Sequence, residues 1–224
     1  MSESHFSNPP QFTISSNILT SIGRIEAARE IIDNAPLIPT YERQFEKEAV
    51  VRTVHHATAL EGNPLNFTEV KRILEGGEDH GVVARERDVQ EVINYRAVIS
   101  YIDRLSREND KIITEPVISE VNAIITYKIL ASGRGGIYRA VGAVSRNSAT
   151  FETSMVWPLP TEIPLLMTDF INWLRGESAK GLHPILRAGI THTWFVLIHP
   201  FEEGNGRSAR TLSTLSLCFD AYNI

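Results

Sequence analysis

The stretch His199-Pro200-Phe201-Glu202-Glu203-Gly204-Asn205-Gly206-Arg207-Ser208-Ala209-Arg210 decides between two kinds of fold. Within it, Gly204 to Ala209 fits the loose G-x-G-x-x-A pattern of a dinucleotide turn, and the apolar run Trp194–Ile198 could pass for the strand before it. That reading would demand a parallel sheet. It fails on room: Ile224 closes the sequence, leaving no space for a second strand or for a ribose-binding acid about 20 residues on. A phosphate-binding P-loop fails as well, because no Gly-Lys-Ser/Thr stands at the required place. What remains is an apolar helix ending at His199, a glycine turn, and a second helix starting near Gly206.

Working outward, helical periodicity dominates. Ile18, Leu19, Ile22, Ile25, Ala28, Ile31 and Ile32 recur at helical spacing between Ser15 and Asp33, which predicts an amphipathic helix after a loose polar arm over 1–12. Asn34-Ala35-Pro36 breaks it. A helix from Tyr41 to Leu60, carrying Phe45, Ala49, Val50 and Val54, stops at Glu61-Gly62-Asn63-Pro64. Asn66 with Glu69 resembles a capping box for a short helix ending before Gly76-Gly77, and a loop follows over 76–84. Val89, Val92, Ile93, Ala97, Tyr101 and Leu105 mark a helix over 85–107. Thr114 caps the next one, which is expected to reach Ile129 and end before Gly133.

The character then changes. Ile137–Val144 and Phe151–Trp157 are β-prone and flank Ser145-Arg146-Asn147-Ser148, which predicts one hairpin. Helices follow from Thr161 and Pro164 through Leu174, and from Pro184 to Ile198, with a glycine-containing loop between them. The fold class is therefore all-α with a single hairpin. The expected division is an N-terminal helical region over 1–84 and a core over 85–224.

Bulk properties fit such a chain. With 224 residues, 42% hydrophobic and 22% charged, it can bury a sizeable core. The net charge of −5 and the lack of a basic stripe give no indication of nucleic-acid binding. Cys218 is the single cysteine, so neither a disulfide framework nor a cysteine zinc site is expected. No apolar run approaches the roughly 18 residues of a membrane span, and the first residues lack a signal-peptide core. A cytoplasmic setting is expected.

The central stretch combines chemistries. Pro200 disfavours helical geometry at His199 and places it at a helix-to-loop junction. A neutral imidazole there can take a proton near pH 7. Gly204-Asn205-Gly206 allows close backbone approach, and the free N–H groups of a helix starting after it favour an anion. Arg207 and Arg210 lie three apart on that helix, and two guanidinium forks suit successive phosphates. Glu203 could hold a hard divalent cation bridging them. A metal site from His183, His192 and His199 lacks ligand-like spacing.

At every defined position, His199 to Arg210 matches H-P-F-x-(D/E)-G-N-G-R-x-x-R, the signature of the Fic (filamentation induced by cAMP) family. The resemblance includes Thr191-His192 and Phe195 upstream, and Tyr138-Arg139 before a hairpin that looks like the family's flap. It implies a Fic-domain helical bundle and protein adenylyltransferase activity. On that resemblance His199 deprotonates a target hydroxyl, which attacks the α-phosphate of ATP. Glu203 holds Mg²⁺. Gly204, Asn205 and Gly206 hold phosphates, with Arg207 nearer the β- and Arg210 nearer the γ-phosphate. A target protein docks on the flap near Val141–Arg146, and homodimer formation is left open.

Upstream, Ala57-Thr58-Ala59-Leu60-Glu61-Gly62 is similar to the family's inhibitory motif, (S/T)-x-x-x-E-(G/N). By resemblance Glu61 pairs with Arg210 and denies it to the γ-phosphate. The chain departs from the motif at Ala57, where a hydroxyl is expected, and Thr58 comes one residue late. Other readings of the same site are transfer of another nucleotide, removal of AMP, or a nucleotide-sensing regulator. Intact His199 argues against the last.

Overall fold

The computed structural model describes residues 9–35, 38–77, 81–146 and 153–222. Helix α1 (Ser16–Asp33) starts at Ser15, whose hydroxyl accepts from the Ile18 N–H. Helix α2 (Pro39–Ala59) follows, then α3 (Phe67–Gly76), α4 (Glu86–Ser106) and α5 (Glu115–Thr126). The capping box of α3 is present, with Asn66 and Glu69 each accepting from the other's backbone N–H. Strands β1 (Val144–Arg146) and β2 (Thr153–Val156) pair antiparallel, with an irregularity between Ser145 and Arg146. Helices α6 (Ile163–Arg175), α7 (Glu177–Lys180), α8 (Pro184–Ile198) and α9 (Asn205–Phe219) complete the chain. The all-α expectation with one hairpin holds.

A single hydrophobic cluster joins the elements. Val51 and Val54 of α2, Val70 and Ile73 of α3, Val92 and Val98 of α4, Ile118 and Ile125 of α5, and Leu212 and Leu215 of α9 all belong to it. It takes residues from both sides of position 84. Full burial of each such side chain contributes about 1.5–3 kcal/mol. An aromatic chain ties the central loop into this core. Phe201 lies 6.1 Å from Phe195, which lies 6.0 Å from Phe170, itself edge-on to Trp194 at 5.6 Å.

Four local features differ from the sequence reading. The segment 137–142 is not the first hairpin strand. Tyr138 instead bridges Phe201, and the ladder begins only at Val144, the last residue of the expected strand, and continues through Ser145 and Arg146, which were read as turn. Asn147, Ser148 and Phe151 lie outside the described residues. Helix α5 stops at Thr126, not near Gly133, because the Asn94 side chain donates to the carbonyls of Ile125 and Tyr127 at 3.0 and 2.7 Å. The loop after α6 contains the short helix α7. Finally, α1 is helical but buries no residue, and Phe45 of α2 is exposed. Periodicity identifies the apolar stripe, of which Ile18 and Ile22 are half-buried while Leu19, Ile25, Ile31 and Ile32 stay exposed.

Candidate active site

His199 is the last residue of the α8 junction and adopts a left-handed conformation, φ 50° and ψ 58°. For a residue with a Cβ this costs about 1–2 kcal/mol, so neighbours must hold it. Three do. Its N–H donates to the Phe195 carbonyl at 3.0 Å, and its own carbonyl accepts from Arg139 Nε at 2.7 Å. Trp157 lies against its ring, with centroids 4.0 Å apart and planes inclined by 30°. Burial first, and the Arg139 charge second, push the imidazole down to about 4. The Val196 carbonyl and Glu61 oppose that shift. The ring is therefore neutral at pH 7 and able to accept a proton.

Gly204 opens α9 with φ 78°, and a Cβ there would meet Ile125 at 3.0 Å, Thr126 at 3.2 Å and Asn122 at 3.3 Å. The loop before it is held from two sides. Asn205 Nδ2 donates to the Phe201 carbonyl at 2.8 Å, while its Oδ1 accepts from the Phe201 N–H at 2.9 Å. Asn122 of α5 donates to the Glu203 carbonyl at 2.9 Å and accepts from the Gly136 N–H at 3.0 Å. The Asn205 side chain is thus turned inward and shapes the loop, and the residue opens α9.

Arg207 and Arg210 lie on α9 but face different carboxylates. Arg207, only 1% exposed, donates to Glu203 Oε1 at 3.1 Å and lies 3.4 Å from Glu91 Oε1. Its Nε and Nη1 are buried without a hydrogen-bond partner among the described residues. Arg210 donates to Glu61 Oε1 at 2.5 Å and to the Ala57 carbonyl at 3.1 Å. The Glu61 carboxylate also covers Gly206, since a Cβ built on Gly206 would collide with Glu61 Oε1. It stands over the positive end of α9, where an anion is favoured. Of the predicted site residues, the structure thus places Glu203, Gly204, Asn205, Gly206, Arg207, Arg210 and Glu61 at the start of α9, with His199 at the end of α8 before the same loop.

Glu203 is the single candidate metal ligand. Its carboxylate is shared between Arg207 and Arg87, the latter at 3.3 Å. No group of three or more metal-ligating side chains occurs among the described residues. One partly exposed carboxylate beside an anion-favouring helix end fits magnesium when phosphate oxygens and water supply the remaining ligands.

Residues 112–217 match the Fic/DOC family. Residues 112–217 form a Fic domain. The structure is similar to that of a Fic-domain-containing signaling protein from Bacteroides thetaiotaomicron, with TM-score 0.75 at 28% identity, covering 84% of this chain and 69% of that one. It is also similar to Fic-1 from Caenorhabditis elegans, with TM-score 0.73 at 26% identity, covering 92% and 60%. Among curated relatives, protein adenylyltransferase fic-1 of C. elegans is 30% identical over 176 residues, which is 77% of this chain. Protein adenylyltransferase Fic of Culex quinquefasciatus is 25% identical over 200 residues, 89% of this chain. The matched part spans 32% and 38% of those two relatives.

Several residues that support the site escaped the sequence reading. Asp88, Glu91 and Asn94 are buried at three-residue spacing on α4, and Asn122 is buried on α5 among Ile118, Val121 and Ile125. A polar residue inside an apolar stripe is the signal that could have found them. Glu91 gathers Arg207, Arg87 and Asn63. Trp157 carried no such signal, and Arg139 entered only as part of the resemblance, without a role, because what both do depends on where the hairpin meets His199.

Proposed function

We propose that the chain is a protein adenylyltransferase that moves AMP from ATP to a hydroxyl side chain of a target protein. The observation that carries this reading is a half-buried His199, held left-handed at the end of α8 and joined by a short loop to the N-terminus of α9 with its two arginines. The names of the adenylyltransferase relatives support the choice of nucleotide and of protein acceptor. His199 takes the proton from the acceptor hydroxyl. The oxygen attacks the α-phosphorus, the bond to the β-phosphate bridging oxygen breaks, and pyrophosphate leaves. Backbone N–H groups after Gly204 receive the negative charge that develops. Arg207 faces the β-phosphate and Arg210 the γ-phosphate. Glu203 would hold Mg²⁺, which would supply charge neutralisation for the phosphates. An extended segment of the target pairs with the flap near Val141–Arg146.

The same reading makes the resting chain inhibited. With Arg210 bonded to Glu61, the γ-phosphate has no guanidinium to meet, and the carboxylate repels it from the helix end. The region over 1–84 then acts as the regulator and the region over 85–224 as the catalyst. No helix among the described residues is long and apolar enough to cross a membrane. A cytoplasmic setting suits the lone Cys218, whose thiol burial pushes up to about 11.

Glu61 is near enough to His199 to oppose its loss of basicity. A carboxylate so placed would also orient a water for removal of AMP from a modified target. One experiment separates the readings: the Glu61→Gly protein is incubated with a panel of nucleoside triphosphates and its intact mass measured. An AMP-sized increase with ATP alone supports adenylyl transfer. An increase with another nucleotide reassigns the donor, and binding without any adduct, even with lysate proteins supplied, favours a sensor. Release of AMP from a modified protein by the wild type alone supports removal.

A further inference from the structure

Arg139 is 4% exposed and pairs with no carboxylate among the described residues. Its guanidinium is spent on three backbone carbonyls. Nε donates to His199 at 2.7 Å, Nη1 to Val141 at 2.9 Å, and Nη2 to Pro158 at 2.7 Å. Its backbone N–H donates to the Pro200 carbonyl at 2.9 Å. Val141 lies on the entry side of the hairpin and Pro158 on the exit side, so one side chain gathers both roots and the backbone of His199.

The neighbours reinforce the junction. Tyr138 forms an antiparallel bridge with Phe201, and its ring lies 5.7 Å from that of Phe201. On the exit side, Trp157 lies against the His199 ring and donates from Nε1 to the Val196 carbonyl at 3.1 Å. A charge taken out of water without a counter-ion is costly. A packed apolar residue would fill this space at less cost, but it could not bond three diverging carbonyls. The rigid fork of arginine can, and a lysine cannot.

We propose that Arg139 is a positioning residue that fixes both roots of the hairpin to the backbone of His199, so that the hairpin's placement sets where an acceptor hydroxyl meets the imidazole. For its chemical consequence this rests on the adenylyl-transfer reading. The geometric part does not.

The test compares Arg139→Gln and Arg139→Lys in the Glu61→Gly protein. In both, AMP transfer at saturating ATP falls about 100-fold, the cost of a displacement near 1 Å, while ATP affinity changes less than about twofold. Amide exchange in β1 and β2 quickens at least about tenfold, and exchange in α8 and α9 is unchanged. Parental rates with parental β1–β2 exchange overturn the proposal. So does full rescue by Arg139→Lys, which would assign the effect to charge alone. Faster exchange throughout α8 and α9 with loss of ATP affinity would reduce Arg139 to a general stabiliser. If Arg139→Gln does not fold, Arg139→Lys is read by itself. If the Glu61→Gly parent transfers no AMP, the adenylyl-transfer reading falls, and the exchange pattern alone decides the role of Arg139.

Discussion

Arg210 Nη2 donates to Glu61 Oε1 at 2.5 Å while also bonding the Ala57 carbonyl in the last turn of α2. One guanidinium on α9 is thereby bonded to both α2 and the turn that follows it. Arg207 does not share this fate. It is held by Glu203 and Glu91, and the two arginines that sequence spacing placed toward one anion are drawn to separate carboxylates.

The turn bearing Glu61 is itself anchored. Asn63 donates to the Asp88 carbonyl and to Glu91 Oε2, both at 3.0 Å, and accepts from the Leu65 N–H at 3.1 Å. Asn63→Ala should therefore loosen Glu61 while leaving its carboxylate in place. Transfer of AMP is expected to rise severalfold, but less than in Glu61→Gly. Stability should fall by about 1–3 kcal/mol from the unpaired buried groups. Labelled-ATP incorporation and a urea transition measure both effects.

The acid limb of the rate profile should reveal His199. An ordinary histidine loses its base function below about pH 6.5, whereas burial and Arg139 hold His199 to about 4. The transfer rate should stay level down to about pH 5 and break near 4. Stability follows with a definite sign. The folded value lies below the unfolded one, so the unfolded chain binds the proton first. Stability falls as pH drops from about 6.5 toward 4 and levels below that. His199→Ala should lack that component when the two proteins are compared by denaturant midpoint across this window.

Arg87 competes for the candidate metal ligand. It lies 3.3 Å from Glu203 Oε2 and is mostly exposed. Such a pair is worth at most about 1 kcal/mol, so Arg87→Ala should lower the magnesium concentration for half-maximal transfer by up to about fivefold. A magnesium titration of the transfer rate in the Glu61→Gly background checks it.

Gly204 is required by backbone geometry. Gly204→Ala puts a side chain at φ 78° and against Ile125, Thr126 and Asn122. A loss of about 1–3 kcal/mol is expected from left-handed strain and crowding. Urea unfolding measures it, and an unchanged midpoint would mean the loop adjusts freely.

Much of this was legible in the residues themselves. Apolar periodicity located α4 and α5, whose buried faces impose their spacing on the sequence, while α3 was found from its capping box and α6 and α8 from their start signals. The capping pairs at Asn66 and Thr114 are local and were readable for that reason. The His199–Arg210 stretch announced its chemistry because base, carboxylate, glycines and arginines are contiguous. What was illegible depends on distant partners. The hairpin began late because Tyr138 bridges Phe201, some sixty residues on. Helix α5 ended early because Asn94 captured its last carbonyls. That the Asn205 amide closes the loop on Phe201 was likewise unreadable, since it depends on how the turn folds back.

The central claim is that a complete active site is held idle by the Glu61–Arg210 contact. Its most direct test is the rate of AMP incorporation from α-labelled ATP by three proteins: wild type, Glu61→Gly, and Glu61→Gly with His199→Ala. Strong incorporation by Glu61→Gly, with little by the other two, is the predicted result. Equal incorporation by wild type and Glu61→Gly, or undiminished incorporation after His199→Ala, would contradict it.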